Sequence, residues 1–178
     1  MLAYPIGASG QILVFTVEVL AHFRRQRQTR PWHREAGGQL FARFDADRIL
    51  LVEATGPRPS DRRCRMSYLP DRVAEQQEID ERFPQGLHFI GDWHTHPEDR
   101  PSPSTVDLRS TADGFSRSHH SLHAFLMVIV GRAYPPSGLH VSLTDAHGTH
   151  VLQPQGVLTQ AFPGVQGGRH RTDGSALL

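Results

Sequence analysis

Two histidines stand two positions apart in His94-Thr95-His96, and seven residues further on the chain reads Ser104-Thr105-Val106-Asp107. On a strand the side chains alternate, so His94 and His96 face one side and both imidazoles can approach one cation. Asp107 falls in the first turn of a helix expected from Thr105, and its carboxylate can return to the same point. Two histidines and one carboxylate, with a fourth position open to water, make the ligand set of a catalytic zinc ion. Each part also has a plainer reading. An H-x-H pair alone occurs among packed or surface residues, and Ser104-x-x-Asp107 is a capping box. The two readings coexist, because a carboxylate at the third helical position also sits in the positive end of the helix dipole. Pro97, Pro101 and Pro103 restrict the chain between the two halves and lower the entropic cost of bringing the helix back to the strand end.

The elements that must position these residues can be read from periodicity and punctuation. Gln11 to Val19 begins strand-like and passes into a basic helix, Val17 to Gln28, with Val19, Leu20 and Phe23 toward a core and Pro31 as its stop. Glu35 to Phe44 and Arg48 to Ala54 read as two strands about the turn Asp45-Ala46-Asp47. Gly56 to Arg65 reads as a loop. Asp71 to Phe83 reads as a helix with Val73, Ile79 and Phe83 on a core-facing side. Leu87 to Trp93 is a buried strand running into the histidines, and Thr105 opens a short helix. Leu122 to Val130 is the most apolar run, rich in β-branched and aromatic residues, and reads as a central strand. Leu139 to Leu143 and His150 to Leu152 read as a hairpin about the turn Asp145-Ala146-His147-Gly148. From about Gln155 the chain turns rich in Gly, Gln and Pro. The expected organisation is one mixed α/β domain over 1–154 and a flexible tail over 155–178.

Composition narrows the classes. The chain has 178 residues, 38% of them apolar, enough for a core of ordinary size. Its formal net charge is +1, which offers no field for a polyanion, so nucleic acid is not an expected partner. No run approaches the length of a membrane span, and no secretory signal is visible at Met1 to Gly10. The single cysteine, Cys64, suits a reducing cytosol, and a cytoplasmic location is expected. Cys64 itself reads as structural or incidental. All 19 basic residues are arginine, and asparagine is also missing, a pairing that GC-rich codon usage explains. The cluster His119, His120 and His123 falls largely in a polar loop and reads as solvated.

The whole pattern, H-x-H-x(7)-S-x-x-D, resembles the signature of the JAB/MPN+ metallopeptidases, also called JAMM peptidases. That family carries an upstream glutamate in an E-x-G-G-x-L-x-G context, and this chain has Glu35-Ala36-Gly37-Gly38-Gln39-Leu40-Phe41-Ala42. Ala42 departs from the usual glycine, though a small residue is kept. The resemblance covers roughly residues 10–145. It implies an MPN/JAB, cytidine-deaminase-like fold: a mixed sheet with flanking helices. It implies one zinc ion per chain on His94, His96 and Asp107, with Glu35 as general base and acid and Ser104 as donor to the oxyanion. Rival metal signatures fail: His96 is followed by Pro97-Glu98-Asp99-Arg100, not by the x-D-H of metallo-β-lactamases, and H-E-x-x-H is missing.

The activity this resemblance implies is a zinc-dependent isopeptidase, cutting the amide after the C-terminal glycine of a ubiquitin-like protein or related conjugate. The short spacing between motifs is similar to that of bacterial members found in anti-phage operons beside E1- and E2-like enzymes, which would be partners. A processing peptidase that matures a sulfur-carrier precursor is the alternative, and a non-catalytic MPN scaffold is a second. Gly37 and Gly38 are expected to leave room for a thin Gly-Gly tail, or else only to ease packing.

Overall fold

The computed structural model describes residues 1–155. The tail expected beyond that point lies outside the described residues. Ten strands and three α-helices follow one another: β1 (Leu2–Pro5), β2 (Ile12–Phe15), α1 (Val17–Gln26), β3 (Gly37–Asp45), β4 (Arg48–Ala54), β5 (Arg62–Arg63), β6 (Tyr68–Leu69), α2 (Arg72–Arg82), β7 (His88–Thr95), α3 (Thr105–Arg117), β8 (Phe125–Val130), β9 (Leu139–Asp145) and β10 (Gly148–Val151). Eight strands form one sheet in the order β1-β2-β4-β3-β7-β8-β9-β10, and β5 pairs with β6 in a separate ribbon. The β2–β4 and β7–β8 pairs are parallel, and the other pairs of the large sheet are antiparallel. This is the mixed α/β architecture expected. No helix among the described residues is long and apolar enough to cross a membrane.

The strands follow from their side chains. β8 is Phe-Leu-Met-Val-Ile-Val and is buried on both faces, as a continuous apolar run demands. On one face of the sheet lie Leu13, Phe15, Leu40, Leu51, Ile90, Trp93, Val128 and Val141, closed by Val19 and Phe23 of α1. Thr16 caps α1, accepting the Val19 N–H. Helix α3 lies elsewhere: the Thr111 hydroxyl is 3.4 Å from Met127 Sδ, and Phe115 packs edge-on against Phe125 at 5.5 Å. The chain closes on itself where Gln155 N–H donates to the Ala3 carbonyl at 2.8 Å.

Several expectations need correction. β1 has no counterpart in the sequence reading; four residues pair with β2 and bury Leu2, Ala3 and Tyr4. Helix α1 ends at Gln26, and Gln28 leaves the helix to bury its amide at 2% exposure. The helix from Thr105 is thirteen residues long. The most consequential correction concerns α2. Val73 and Phe83 are 69% and 63% exposed, and the buried residue of this helix is Glu75. The helix is held through charge instead: Glu78 is bound by Arg58, Arg82 reaches Glu53 at 2.7 Å, and Asp71 caps the first turn. Its polar side is therefore the side turned toward the protein.

Candidate metal centre

Alternation along β7 sends Trp93 and Thr95 into the core and leaves His94 on the opposite face. His96 follows the last strand residue, with its N–H still bound to the Val130 carbonyl at 3.0 Å. The two Nε2 atoms lie 3.1 Å apart. Asp107, in the first turn of α3, brings Oδ1 to 3.3 Å from His94 Nε2 and Oδ2 to 3.5 Å from His96 Nε2. The capping box forms as well. The Ser104 N–H donates to Asp107 Oδ2 at 2.7 Å, and the Asp107 N–H donates to Ser104 Oγ at 3.2 Å. One carboxylate thus caps the helix and faces both imidazoles. The Ser104 hydroxyl oxygen accepts within the box.

Glu35 comes from the other direction, just ahead of β3. Among the described residues, Glu35, His94 and His96 are the group whose ligand atoms all lie within 4.8 Å of one another. Backbone contacts fix the glutamate on both sides. Its N–H donates to the Cys64 carbonyl at 2.7 Å, and its carbonyl accepts from Arg63 Nε at 2.6 Å. The next residue, Ala36, is tied to the histidine strand: its N–H donates to Thr95 Oγ1 at 3.0 Å, and its carbonyl accepts the Thr95 N–H at 2.8 Å. The Thr95 hydroxyl then donates to Gln28 Oε1 at 2.9 Å. Thr95 and Gln28 are the positioning residues that the sequence reading missed. Period two alone puts Thr95 on the buried side, where its hydroxyl must find a partner. Gln28 carries no such signal.

The electrostatics of the cluster separate its two carboxylates. Burial pushes the Glu35 carboxyl above its ordinary range, opposed in part by the nearby His94 and His96. Burial also works to raise Asp107, but hydrogen bonds from His94, His96 and Ser104 outweigh it and hold this carboxyl far below the usual range. The Asp107 hydrogen bond in turn raises the His96 imidazole. A raised acid thus stands beside a strongly ionised one, the pattern that gives two carboxylates different tasks.

Gly37 and Gly38 pair with His94 and Trp93 across β3 and β7. A Cβ on Gly37 would lie 2.5 Å from Tyr68 Cε1, and one on Gly38 would run into the Thr55 carbonyl. The space a side chain would take at either position is occupied, in keeping with the packing alternative. His119, His120 and His123 stand exposed and apart from the centre, with the His120 ring 4.6 Å from that of Phe125. Cys64 is exposed, and its carbonyl, not its thiol, is what touches the site.

The comparisons with known proteins bear on the family. The family described as prokaryotic homologs of the JAB domain matches residues 16–143. A CD-NTase/cGAS isopeptidase of Pseudomonas aeruginosa is 34% identical over 142 residues, covering 77% of this chain and 85% of that protein. The protein of the same description from Escherichia coli is 32% identical over 123 residues, covering 67% of this chain and 76% of its own. A probable metalloprotease of Sinorhizobium fredii is 36% identical over 84 residues, 44% of this chain and 51% of that one. In fold, the solution structure of protein DSY2949 from Desulfitobacterium hafniense matches with a TM-score of 0.55 at 19% identity, covering 78% of this chain and 88% of that one.

A mixed sheet that carries H-x-H at a strand end, a helix-capping carboxylate opposite and a glutamate just ahead of the adjoining strand fits a JAB-type domain. The chain belongs to the prokaryotic JAB family, and it is a hydrolase of that family.

Proposed function

We propose that this chain is a zinc-dependent isopeptidase that hydrolyses the amide joining the C-terminal carboxyl of one protein to an amine of another. The observation that carries the reading is the convergence of His94 and His96, whose Nε2 atoms lie 3.1 Å apart, with Asp107, which sets one oxygen 3.3 Å from His94 Nε2 and the other 3.5 Å from His96 Nε2. The donor set of two nitrogens and one carboxylate is also that of a catalytic zinc site. Glu35 fits the ion less well as a ligand than Asp107 does, because Asp107 meets both imidazoles directly. Zinc held there would supply a Lewis acid and lower the pKa of water to about 7.

The chain's own groups do the rest. Glu35, with its raised pKa, takes a proton from the attacking water and returns it to the departing amine nitrogen. Ser104 turns its hydroxyl proton to the oxygen of the tetrahedral intermediate. Thr95 and Gln28 keep Glu35 in register with the histidines. The products are a free carboxylate and a free amine, and one water is consumed.

The relatives' names support a CD-NTase as the protein released, in the place that the sequence reading gives to a ubiquitin-like protein. The E1- and E2-like enzymes that make such a conjugate would be its operon partners, and the cytosol would be its compartment. Neither the precursor-processing alternative nor the scaffold gains support: the relatives are named isopeptidases, and the full set of polar groups is assembled. The test uses a CD-NTase joined through its C-terminus to a lysine of a second protein. The enzyme should release both proteins, lose activity to a chelator and regain it with stoichiometric zinc. Cleavage that survives complete removal of metal overturns the reading.

A further inference from the structure

Three loops run together along the rim of the centre on the Glu35 side. Residues 27–36 leave α1, residues 62–69 carry the β5–β6 ribbon, and residues 131–138 join β8 to β9. Arg27 Nη1 donates to the Arg132 carbonyl at 2.8 Å, and its guanidinium stacks over the Tyr134 ring at 4.2 Å. The buried Gln28 amide donates to the Arg65 carbonyl at 2.9 Å, and the Arg65 guanidinium answers on the Pro31 carbonyl. The third loop is fastened to the histidine loop through Arg132 N–H to the Glu98 carbonyl at 2.6 Å and Ala133 N–H to the Asp99 carbonyl at 3.1 Å. The second is fastened to Glu35 itself through Cys64.

This tethered rim holds three large side chains out in solvent: Trp32 at 70%, Met66 at 69% and Tyr134 at 67% exposure. Arginines surround them. From Arg24 to Arg34 the chain has five arginines and no acidic residue, and from Arg62 to Arg65 it has three and none. Arg30 lies 5.6 Å over the Trp32 ring. The chain as a whole carries only +1, so this concentration of charge is local. Trp, Tyr, Met and Arg are the residues enriched at the energetic centres of interfaces. Loops already tied to one another lose little freedom when a partner lands on them.

We propose that this rim docks the protein being released, through a surface of that protein on which acidic side chains surround an apolar contact. The identity of the docked protein rests on the isopeptidase reading. An enzyme that removes one protein from varied targets meets that protein every time, so a standing surface is fitted to it and not to the target. Charge complementarity fixes the sign of the partner's surface, and the three exposed side chains require apolar ground at its middle.

The experiment is calorimetric titration of a purified CD-NTase into the intact chain. The wild-type protein should bind at low salt and weaken as salt is raised, because screening acts on exposed charges. Trp32→Ala and Arg30→Glu should each weaken the affinity by about tenfold or more, the effect of losing an interface anchor. Arg117→Glu makes the same charge change at the far end of α3 and should alter the affinity less than about twofold. Melting temperatures establish that each variant is folded. No binding by the wild-type chain at low salt overturns the proposal, as does unchanged affinity in both rim variants. Cleavage is read separately. Binding that obeys the rim variants, with no cleavage of the conjugate, defeats the isopeptidase reading and leaves the docking surface standing. Cleavage with affinity indifferent to the rim does the reverse.

Discussion

The molecule contains two clusters of charged side chains, and they are built on opposite plans. In the first, His94, His96, Asp107 and Glu35 point at one spot from β7, α3 and the approach to β3, partly buried and leaving several polar atoms aimed at that spot. In the second, Arg58 is enclosed by its partners. It binds Glu78 through Nε at 2.8 Å and Nη2 at 2.5 Å, and it reaches Gln39 and Thr55 at 3.3 Å each. Its Nη1 lies 3.8 Å from Asp61 and 3.7 Å from Glu75. Asp61 is fully enclosed and also accepts from the Arg58 N–H, the Asp71 N–H and the Tyr68 hydroxyl. Apart from Arg58 Nη1, which has two carboxylates near it but no hydrogen-bond partner, the second cluster spends its polar groups on one another and so pins the 56–71 loop, and with it Cys64, against Glu35. The first holds its groups toward a ligand. What separates a site from a brace here is whether the polar groups are satisfied within the fold, not how many charges are gathered.

Mutations should break the two clusters in different currencies. The largest effect is expected for Asp107→Ala and His94→Ala, which should abolish activity and bound zinc while leaving a folded domain. Elemental analysis with circular dichroism checks this, and full zinc occupancy in His94→Ala would remove that ligand from the set. Glu35→Gln should keep its zinc and lose turnover by roughly 10²–10⁴-fold, the scale of lost acid–base catalysis. Near-normal turnover with metal retained would mean that another group moves the proton. Arg58→Ala should do the opposite. Removing the cation takes the partner from Glu78 and the nearby countercharge from the enclosed Asp61 and the buried Glu75, and should cost about 3–5 kcal/mol in denaturant unfolding. A loss below about 1 kcal/mol would reduce the second cluster to decoration.

The smallest effect probes the edge of the second cluster. The Asp71 carboxylate caps α2, and hydrogen bonds from the Ala74 N–H, from Ser60 and from the Val73 N–H hold its pKa below the ordinary value. A carboxyl depressed in the folded state contributes stability above its unfolded pKa, and that contribution is lost as the pH falls through the folded value. Asp71→Asn keeps a capping oxygen and removes the proton. Melting temperatures taken from about pH 5 downward should therefore fall less steeply in this variant than in the wild type. Parallel slopes would show that the cap carries no acid dependence.

How much was legible follows the range of each interaction. The H-x-H pair and the Ser104–Asp107 box are local patterns, and the apolar run of β8 declares its burial by composition. The face of α2 misled, because Val73 and Phe83 look like a core stripe while the true attachment runs through Glu75, Glu78 and Arg82 to residues far off in the chain. The Gly37–Gly38 pair shows the same limit. Its sequence signal is smallness, and only the fold shows that Tyr68 and Thr55 occupy the space.

By itself the sequence determined the chemistry of this protein: the residue types at the centre, the strand and helix that present them, and the family to which they belong. Those depend on side-chain identity and on periodicities of two and 3.6 residues, which are written along the chain. The tertiary structure alone decided how Thr95 and Gln28 hold Glu35 in place, and that Trp32, Met66 and Tyr134 share one tethered rim. Each of those depends on hydrogen bonds between residues tens of positions apart, such as Ala36 with Thr95 and Gln28 with Arg65. No local pattern encodes such pairings; they exist only once the sheet has brought the segments together.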